Sequence, residues 1–579
     1  MEKNKYLICL IITISVISGL FCEDNDEFYS DRIIVGFSAG FVGNTRGEFD
    51  IQIEDGFVYT PVLWFNDIAR EYQITSMERK YIVRDQEWNL DGLYLMNIFR
   101  LKIDTSDRKD SLINDLLSNY DVLFAEQEPI TMVFDNEQIS TISTQEYLQL
   151  IQAPEAWTIE TGSPDVVVGI VDTGVKWNNG DFAENMWINY ENSPNNTIDW
   201  DAREILGPYG SDGSQNPTNW DAHFWGDIMG WDFYSDQTGG QDNNPYQDGS
   251  GNTQGTMVAG IIAAVYDPSI DRVGVAHTSK IFTTKHIAYN SGSNNLNNAF
   301  QGILYLADRG IRIINTSWAI ASPNASHLNA TMQYAYDKGA LIIAAAGNNS
   351  NTSVSFPAAH QHAVAVAATT NQDTKWVLSN YGSLIDISAP GDQIMTSSFW
   401  GNGDSHGTLT GTAASAAVVS GVAALILSQN LDMTVDELRN ILLESVDDVQ
   451  GQYANQMGSG RVNAYKGVQS VTVDLIAQSL TGSSGTVDLE ELTYNVSVIN
   501  EGNTTASSYT IKLMSGLSEL VSVTGPPIAP YAIEIIQITW TPPRFGSYQL
   551  YGHVEFLYDQ DHSNNTTNVL NVNVTSHIN

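Results

Sequence analysis

The sequence has few cysteines, few cations and few long apolar runs, and each shortage excludes something. Cys9 and Cys22 are the only cysteines in 579 residues. A mature chain cut near Cys22 keeps none, or one at its first position, so no disulfide framework is expected. Lys and Arg number 26 against 67 Asp and Glu, a formal net charge of −41. That sign repels a polyanion and excludes nucleic acid as a partner; it suits the solubilising surface of a secreted protein. The one long apolar run, residues 6–21, follows two lysines and precedes an acidic segment. It is short for a membrane span and has the pattern of a signal peptide, assigned here to residues 1–22. Cys22 as a lipid-anchor site is poorly served by Gly19, Leu20 and Phe21. A secreted or cell-surface monomer without a membrane span is expected.

The length allows two to four domains. Residues 31–133 mix strand-like runs (RIIVGF, YLMNIFRLKI) with an amphipathic helix over 109–120, which predicts a small α/β sandwich. Residues 134–144 are polar and read as a linker. Over 145–469, apolar strands at 166–172, 311–318 and 341–348 alternate with helical patterns, the signature of a parallel sheet with helices on both faces. Thr434 and Glu437 form a capping box ahead of ELRNILLESV. Residues 472–574 alternate apolar and polar positions over short runs and predict an antiparallel β-sandwich. A stretch over 189–248 is rich in Asn, Asp, Gly and Trp. Its Asp199, Asp201, Asp212, Asp221, Asp227, Asp242 and Asp248 are candidate oxygen donors for a structural calcium ion, with ordinary turn chemistry as the alternative.

Three motifs stand where an open parallel sheet places its sites, at strand ends and helix starts. VGIVDTGV puts Asp172 at the end of an apolar strand, where a carboxylate needs a partner. LIIAAAGNN puts Asn348 at the end of another, where an amide can donate to a developing oxyanion. TLTGTAASAAVVSGVAALILS opens a long small-residue helix at Gly411-Thr412, with the free N–H groups of a helix start.

These motifs, with QGTMVAG at 254–260, FPA at 356–358, SNYG at 379–382, ISAPGDQI at 387–394 and GSGRVNA at 458–464, resemble those of the subtilisin-like serine peptidases, in that family's order. The resemblance implies the subtilisin-like α/β fold and assigns Asp172 as the orienting acid and Asn348 as the oxyanion donor. It also places Gln254 where the family has its general base, and Ala413 where it has its nucleophile. The second histidine of the His motif is Met257; the proline and histidine of the Ser motif are Ala417 and Val418. The substrate strand, usually SxGG, reads Ser317-Trp318-Ala319-Ile320, and Ile320 is expected to narrow the specificity pocket and hinder the pairing of a bound peptide. Residues 31–133 resemble the family's inhibitor-type propeptide, and 472–574 a CARDB-type sandwich.

The chemistry implied is the loss of a reaction. Serine-type acyl transfer needs an oxygen nucleophile and a base. Alanine has no oxygen, and an amide has no useful pKa near neutrality. Losing either group costs about a millionfold in turnover. Ser415, two residues on, points about 200° away on a helix; His406 and the His360-Gln361-His362 run are weak candidates for catalysis or metal. The expectation is a secreted pseudoprotease that needs no cofactor, binds an unknown protein or peptide, and retains its own propeptide domain. The alternatives are an active endopeptidase using non-standard residues, or a purely structural surface protein.

Overall fold

A computed structural model of the chain describes residues 28–38, 51–85, 88–90, 93–104, 108–133, 137–138, 145–189, 197–199, 204–206, 224, 226–235, 240–247, 253–266, 272–287, 295–320, 326–398 and 406–575. The signal-peptide region and most of the 134–144 linker lie outside them.

The central element is a ten-stranded sheet. Eight strands run parallel, in the order Gly230–Ser235, Lys280–Lys285, Val167–Asp172, Ile313–Thr316, Leu341–Ala345, Ala363–Thr369, Ile387–Pro390 and Arg461–Val462, with an antiparallel strand at each edge. Val167–Asp172, Leu341–Ala345 and Ala363–Thr369 are apolar at nearly every position because both faces are covered, whereas Gly230–Ser235 and Lys280–Lys285, nearer the edge, carry polar residues. Val168, Ile170, Ile313, Ile343 and Val366 face the core that holds the helices Gln254–Ala263 and Thr412–Ser428. Val171, Ile314, Ile342 and Ala367 face the core that holds Ala299–Asp308 and Ser326–Asp337. The observed strands are shorter than the apolar runs by one to three residues at their ends, where the chain turns into loops that carry the site.

The helix Thr412–Ser428 is buried at all 17 positions. Its Ala, Ser and Gly residues let it lie close to its neighbours; a Cβ on Gly421 would stand 2.6 Å from Val275 Cβ, in the turn before Lys280–Lys285. Further on, Thr434 caps Val435–Glu444 as the sequence indicates. Its Oγ1 accepts from Glu437 N at 3.2 Å, and Glu437 Oε2 accepts from Thr434 N at 2.7 Å.

The N-terminal sheet is antiparallel, ordered Ile74–Arg79, Ile98–Ile103, Phe28–Phe37, Val122–Pro129. The helices Leu63–Glu71 and Lys109–Leu117 close a small core with Ile33, Val35, Phe65, Leu101 and Leu112. The second helix stops at Leu117 rather than residue 120, because Asn119 Oδ1 accepts from Asp121 N at 3.1 Å and turns the chain. The other face, with Ile34, Ile98 and Phe124, shares one core with Tyr81, Leu95, Ile303 and Leu328. Polar contacts fix this docking. Gln301 exchanges two hydrogen bonds with the backbone of Ile82, at 2.7 and 2.6 Å, and Arg84 N donates to Asp308 Oδ2 at 2.8 Å. Glu128, 4% exposed at its side chain, holds Lys80 and Arg100 together, and Arg100 reaches Asn298 Oδ1 at 2.9 Å.

The C-terminal sandwich packs a three-stranded sheet on a five-stranded one around Tyr494, Val496, Tyr509, Leu513 and Ile538. It is antiparallel as expected except for one pair: Gly485–Asp488 runs parallel to Leu570–Thr575. A short edge strand that enters from the facing sheet can take either direction, which an alternating pattern does not encode.

Burial lowers the Lys80 pKa to about 8, whereas its cationic partners pull the Glu128 carboxyl well below the usual range against the penalty of burial. The Glu128 contribution is therefore present above the ordinary glutamate pKa and lost as pH falls below it. Glu128→Gln, which removes the carboxylate from Lys80 and leaves Arg100 only the partly exposed Glu78, should destabilise the docked N-terminal domain by about 3 kcal/mol at pH 7, read by thermal unfolding. An unchanged melting curve would show that the cluster contributes nothing to docking.

Candidate active site

Asp172 ends the strand Val167–Asp172 and is fully buried. One carboxylate oxygen accepts from Thr173 N at 2.7 Å, the other from Gln254 Nε2 at 3.1 Å. Burial raises its pKa to about 7, opposed by these hydrogen bonds. No cation offsets the burial, because the group opposite is an amide.

Gln254 opens the helix Gln254–Ala263 and is 1% exposed. Its Nε2 donates to Ser317 O at 2.8 Å as well as to Asp172. The small residues after it are required by packing. A Cβ on Gly255 would stand 2.2 Å from Gly174 O, and one on Gly260 2.6 Å from the hydroxyls of Thr396 and Ser397. Thr256 Oγ1 accepts from Lys176 N at 2.9 Å and so ties the helix start to the loop after Asp172. Met257 is fully buried in the core.

Ala413 is the second residue of Thr412–Ser428, also fully buried. Gly411 before it has φ 118°, a conformation glycine favours. Asn348 Oδ1 accepts from Thr412 N at 3.1 Å and from Thr412 Oγ1 at 2.9 Å. Asn348 Nδ2 is buried, with no hydrogen-bond partner among the described residues, and a Cβ on Gly411 would stand 2.6 Å from it. The amide oxygen thus anchors the helix start and the nitrogen is left free beside Gly411.

Ser317 joins the two halves of the site. Its carbonyl accepts from Gln254, and its Oγ donates to Ala413 O at 3.0 Å. Asn315 Nδ2 donates to Ser317 Oγ at 2.9 Å, and Ser420 Oγ donates to Asn315 Oδ1 at 3.0 Å. Asn315 and Ser420 were not singled out in the sequence. Their signal is weak, since Asn315 stands beside Thr316 in its strand and Ser420 is one of three serines in its helix.

The neighbouring strand Trp318–Ile320 is buried. Trp318 Nε1 donates to Val171 O at 2.8 Å, and its ring meets Phe300 edge-on at 5.2 Å, so it is a core residue. Ile320 is 1% exposed, in the same core. The expectation that Ile320 hinders strand pairing is not met. Thr131–Val133 lies antiparallel to Trp318–Ile320, with Val133 opposite Trp318 and Thr131 opposite Ile320, and on its other side pairs with Asn295–Leu296. Backbone pairing needs only that the side chain point out of the pleat, and Ile320 points into the core. Farther along, Glu137–Gln138 pairs with Leu409 and Thr408, just before Gly411. The chain is therefore held on both sides of the interval that carries Ser317 and Ala413.

The remaining candidates are elsewhere engaged. Ser415 Oγ donates to Ala389 O at 3.0 Å, on the sheet side of the helix. His406 pairs with Ser397 in a strand. His362 Nε2 bonds Gln333 Oε1 at 2.9 Å, and its ring stacks on Tyr336. Among the described residues no three His, Cys, Asp or Glu gather as a metal site. Of the candidate calcium ligands over 189–248, Asp227 is instead fully buried against Arg309, Tyr305 and Asn189. Asp242 Oδ1 accepts from Asn244 N at 2.8 Å. The side chains of Asp199, Asp201, Asp212, Asp221 and Asp248 lie outside the described residues.

Residues 163–460 match the model of the Subtilase family, and the chain is 33% identical over 321 residues to thermitase of Thermoactinomyces vulgaris, over 55% of this chain and 94% of that one. The chain belongs to the subtilase family. It is also similar to halolysin of Haloferax mediterranei, 27% identical over 76% of this chain and 74% of the relative. A third relative is the halolysin-like extracellular serine protease Nep of Natrialba magadii, 28% identical over 62% of this chain and 57% of the relative. The chain thus spans nearly all of thermitase but little more than half of Nep. Residues 472–572 match the CARDB model, which covers the sandwich.

The Asp172 carboxyl sets a pH dependence. Its folded pKa lies above the unfolded value, so its contribution to stability is full below pH 4 and lost as pH rises through about 7. Asp172→Asn should flatten the melting temperature across that window and stabilise the protein at pH 8 by roughly 1–3 kcal/mol, since a neutral side chain has no charge to desolvate. Calorimetry at pH 5 and pH 8 reads both; a variant less stable than the parent at pH 8 would exclude a charged, poorly compensated Asp172.

Proposed function

We propose that this chain is a secreted subtilase-family protein that does not cleave peptides and acts by binding or scaffolding, with its N-terminal domain retained on its own cleft. The observation that carries the reading is Ala413 at the start of the buried helix, beside an Asp172 whose partner is the Gln254 amide. Neither an oxygen nucleophile nor a base for it stands there. Asn348 keeps the position of an oxyanion donor and Ser317 to Ile320 that of the peptide-pairing strand, so the cleft keeps its capacity for backbone recognition. The apolar leader of the sequence and the extracellular relative support secretion.

Retention of the N-terminal domain follows from the same loss. With no self-cleavage, residues 31–133 stay tethered, and a short tether holds a partner at an effective concentration in the millimolar range. The pairing of Thr131–Val133 with Trp318–Ile320 supports a cleft filled from within. Any outside ligand must displace that strand or bind another surface.

The purified protein should not react with a fluorophosphonate, should not cut casein, and should run as one chain whose N-terminus lies near residue 23. A labelled serine, or a chain starting near residues 145–155 from a host without other secreted proteases, would establish an active enzyme.

Ala413→Ser with Gln254→His should restore the reacting groups around Asp172 yet leave turnover low, because Thr131–Val133 still pairs with Trp318–Ile320. Adding Met132→Pro, which breaks the pairing of that strand, should raise it. Full turnover by the double variant alone, measured on a peptide series, would show the cleft to be open.

A further inference from the structure

The loop between the strands Gly546–Glu555 and Leu570–Thr575 of the sandwich holds a set of oxygens that nothing yet described uses. Asp559 and Asn565 are 6% and 2% exposed. Asp559 Oδ2, Asn564 Oδ1 and Asn565 Oδ1 are buried and have no hydrogen-bond partner among the described residues. Three stranded acceptors within seven residues are unusual, since each one left unsatisfied costs about 1–3 kcal/mol. The second Asp559 oxygen accepts from Asp561 N at 3.2 Å.

The two amides are oriented by their nitrogens. Asn564 Nδ2 donates to Asp474 Oδ1 at 2.9 Å, and Asn565 Nδ2 lies 3.4 Å from His562 Nδ1. Turning Asn564 over would set its oxygen against a carboxylate, so its oxygen faces away from Asp474 Oδ1 and stays unmatched. The same contact brings in Asp474 as a second carboxylate. After burial, which comes first, the Asp559 carboxyl is held up by the charge of Asp474 and held down by the Asp561 N–H, the Asn565 amide and His562. Asp474 thus meets Asn564 directly, Asp559, Asn564 and Asn565 share one seven-residue loop, and the unmatched atoms of that loop's three side chains are all oxygens.

We propose that Asp474, Asp559, Asn564 and Asn565 hold a calcium ion. Two carboxylates with amide oxygens form the mixed oxygen set that calcium takes, completed by water or backbone carbonyls. Zinc would use nitrogen or sulfur, and His562 is exposed, its ring turned to an amide. Magnesium demands a stricter octahedron than a loop of mixed amides supplies.

The position gives the ion a role. Gln560 N donates to Val473 O at 3.0 Å and Gln560 Nε2 to Val471 O at 2.9 Å, while Glu501 N donates to Asp474 O at 2.8 Å. The loop is thus fastened to the 471–474 segment, where the subtilase domain passes into the sandwich. A bound ion ties the end of the sandwich to its beginning, at the junction.

The test uses the full chain after removal of metal with EDTA. Terbium should bind with luminescence sensitised by the adjacent Tyr558, and calcium should displace it. Calcium should raise the melting temperature of the sandwich, and calorimetric titration should count one calcium equivalent fewer in Asp559→Asn and in Asp474→Asn than in the parent. Should Asp559→Asn fail to fold, Asn564→Ala, at a partly exposed position, serves in its place and should weaken calcium binding at this site by at least about tenfold. Folded variants that bind as many calcium ions as the parent, with the same melting response, overturn the proposal. An equal response to magnesium at equal concentration overturns the choice of ion.

Discussion

The burial of one helix, Thr412–Ser428, along its whole length is the constraint on which the rest of the structure depends. A helix with no exposed face can be built only from small and apolar residues, and its polar atoms must find partners inside the protein. Ser415, Ser420 and Thr412 do so against Ala389, Asn315 and Asn348. Those bonds fix the helix start against three strand ends at once, so that Ala413, Asn348 and Ser317 meet. The arrangement holds whatever side chain stands at position 413.

Asp172 shows the same separation of fold from chemistry. A buried carboxylate needs donors, and Gln254 supplies one while offering no base. The packing of Gly255 and Gly260 against Gly174 and Thr396 does not involve the Gln254 side chain. A glutamine at position 254 therefore leaves the helix in place, beside a carboxyl whose pKa burial raises to about 7.

The N-terminal domain is bound by a shared apolar core and by buried charges, not by a tether alone. Tyr81, Leu95 and Met96 share a core with Ile303 and Tyr334, and Glu128 pairs with two cations at the seam. The strand Thr131–Val133 then adds to the edge formed by Trp318–Ile320, so the first domain ends inside the second. The sandwich at the other end is joined more locally, through Asn430 to Thr504 and through the Asp559–Asn565 loop.

The sequence by itself determined the fold, because it is written in short patterns. Apolar strands that end in Asp172 and Asn348, and small-residue helices that begin at Gln254 and Thr412, each lie within ten or twenty residues. Even the capping box at Thr434 is local. What only the tertiary structure decided depends on residues far apart in the chain. That Ile320 pairs with Thr131 instead of repelling a strand follows from which way its side chain packs. That Asp227 is consumed by Arg309 and Tyr305, and is no calcium ligand, rests on contacts some 80 residues distant. Asp474 and Asn564 meet across 90 residues. A pattern of polar residues in a loop looks the same in sequence whether its oxygens face solvent, an arginine or one another; burial alone separates the three.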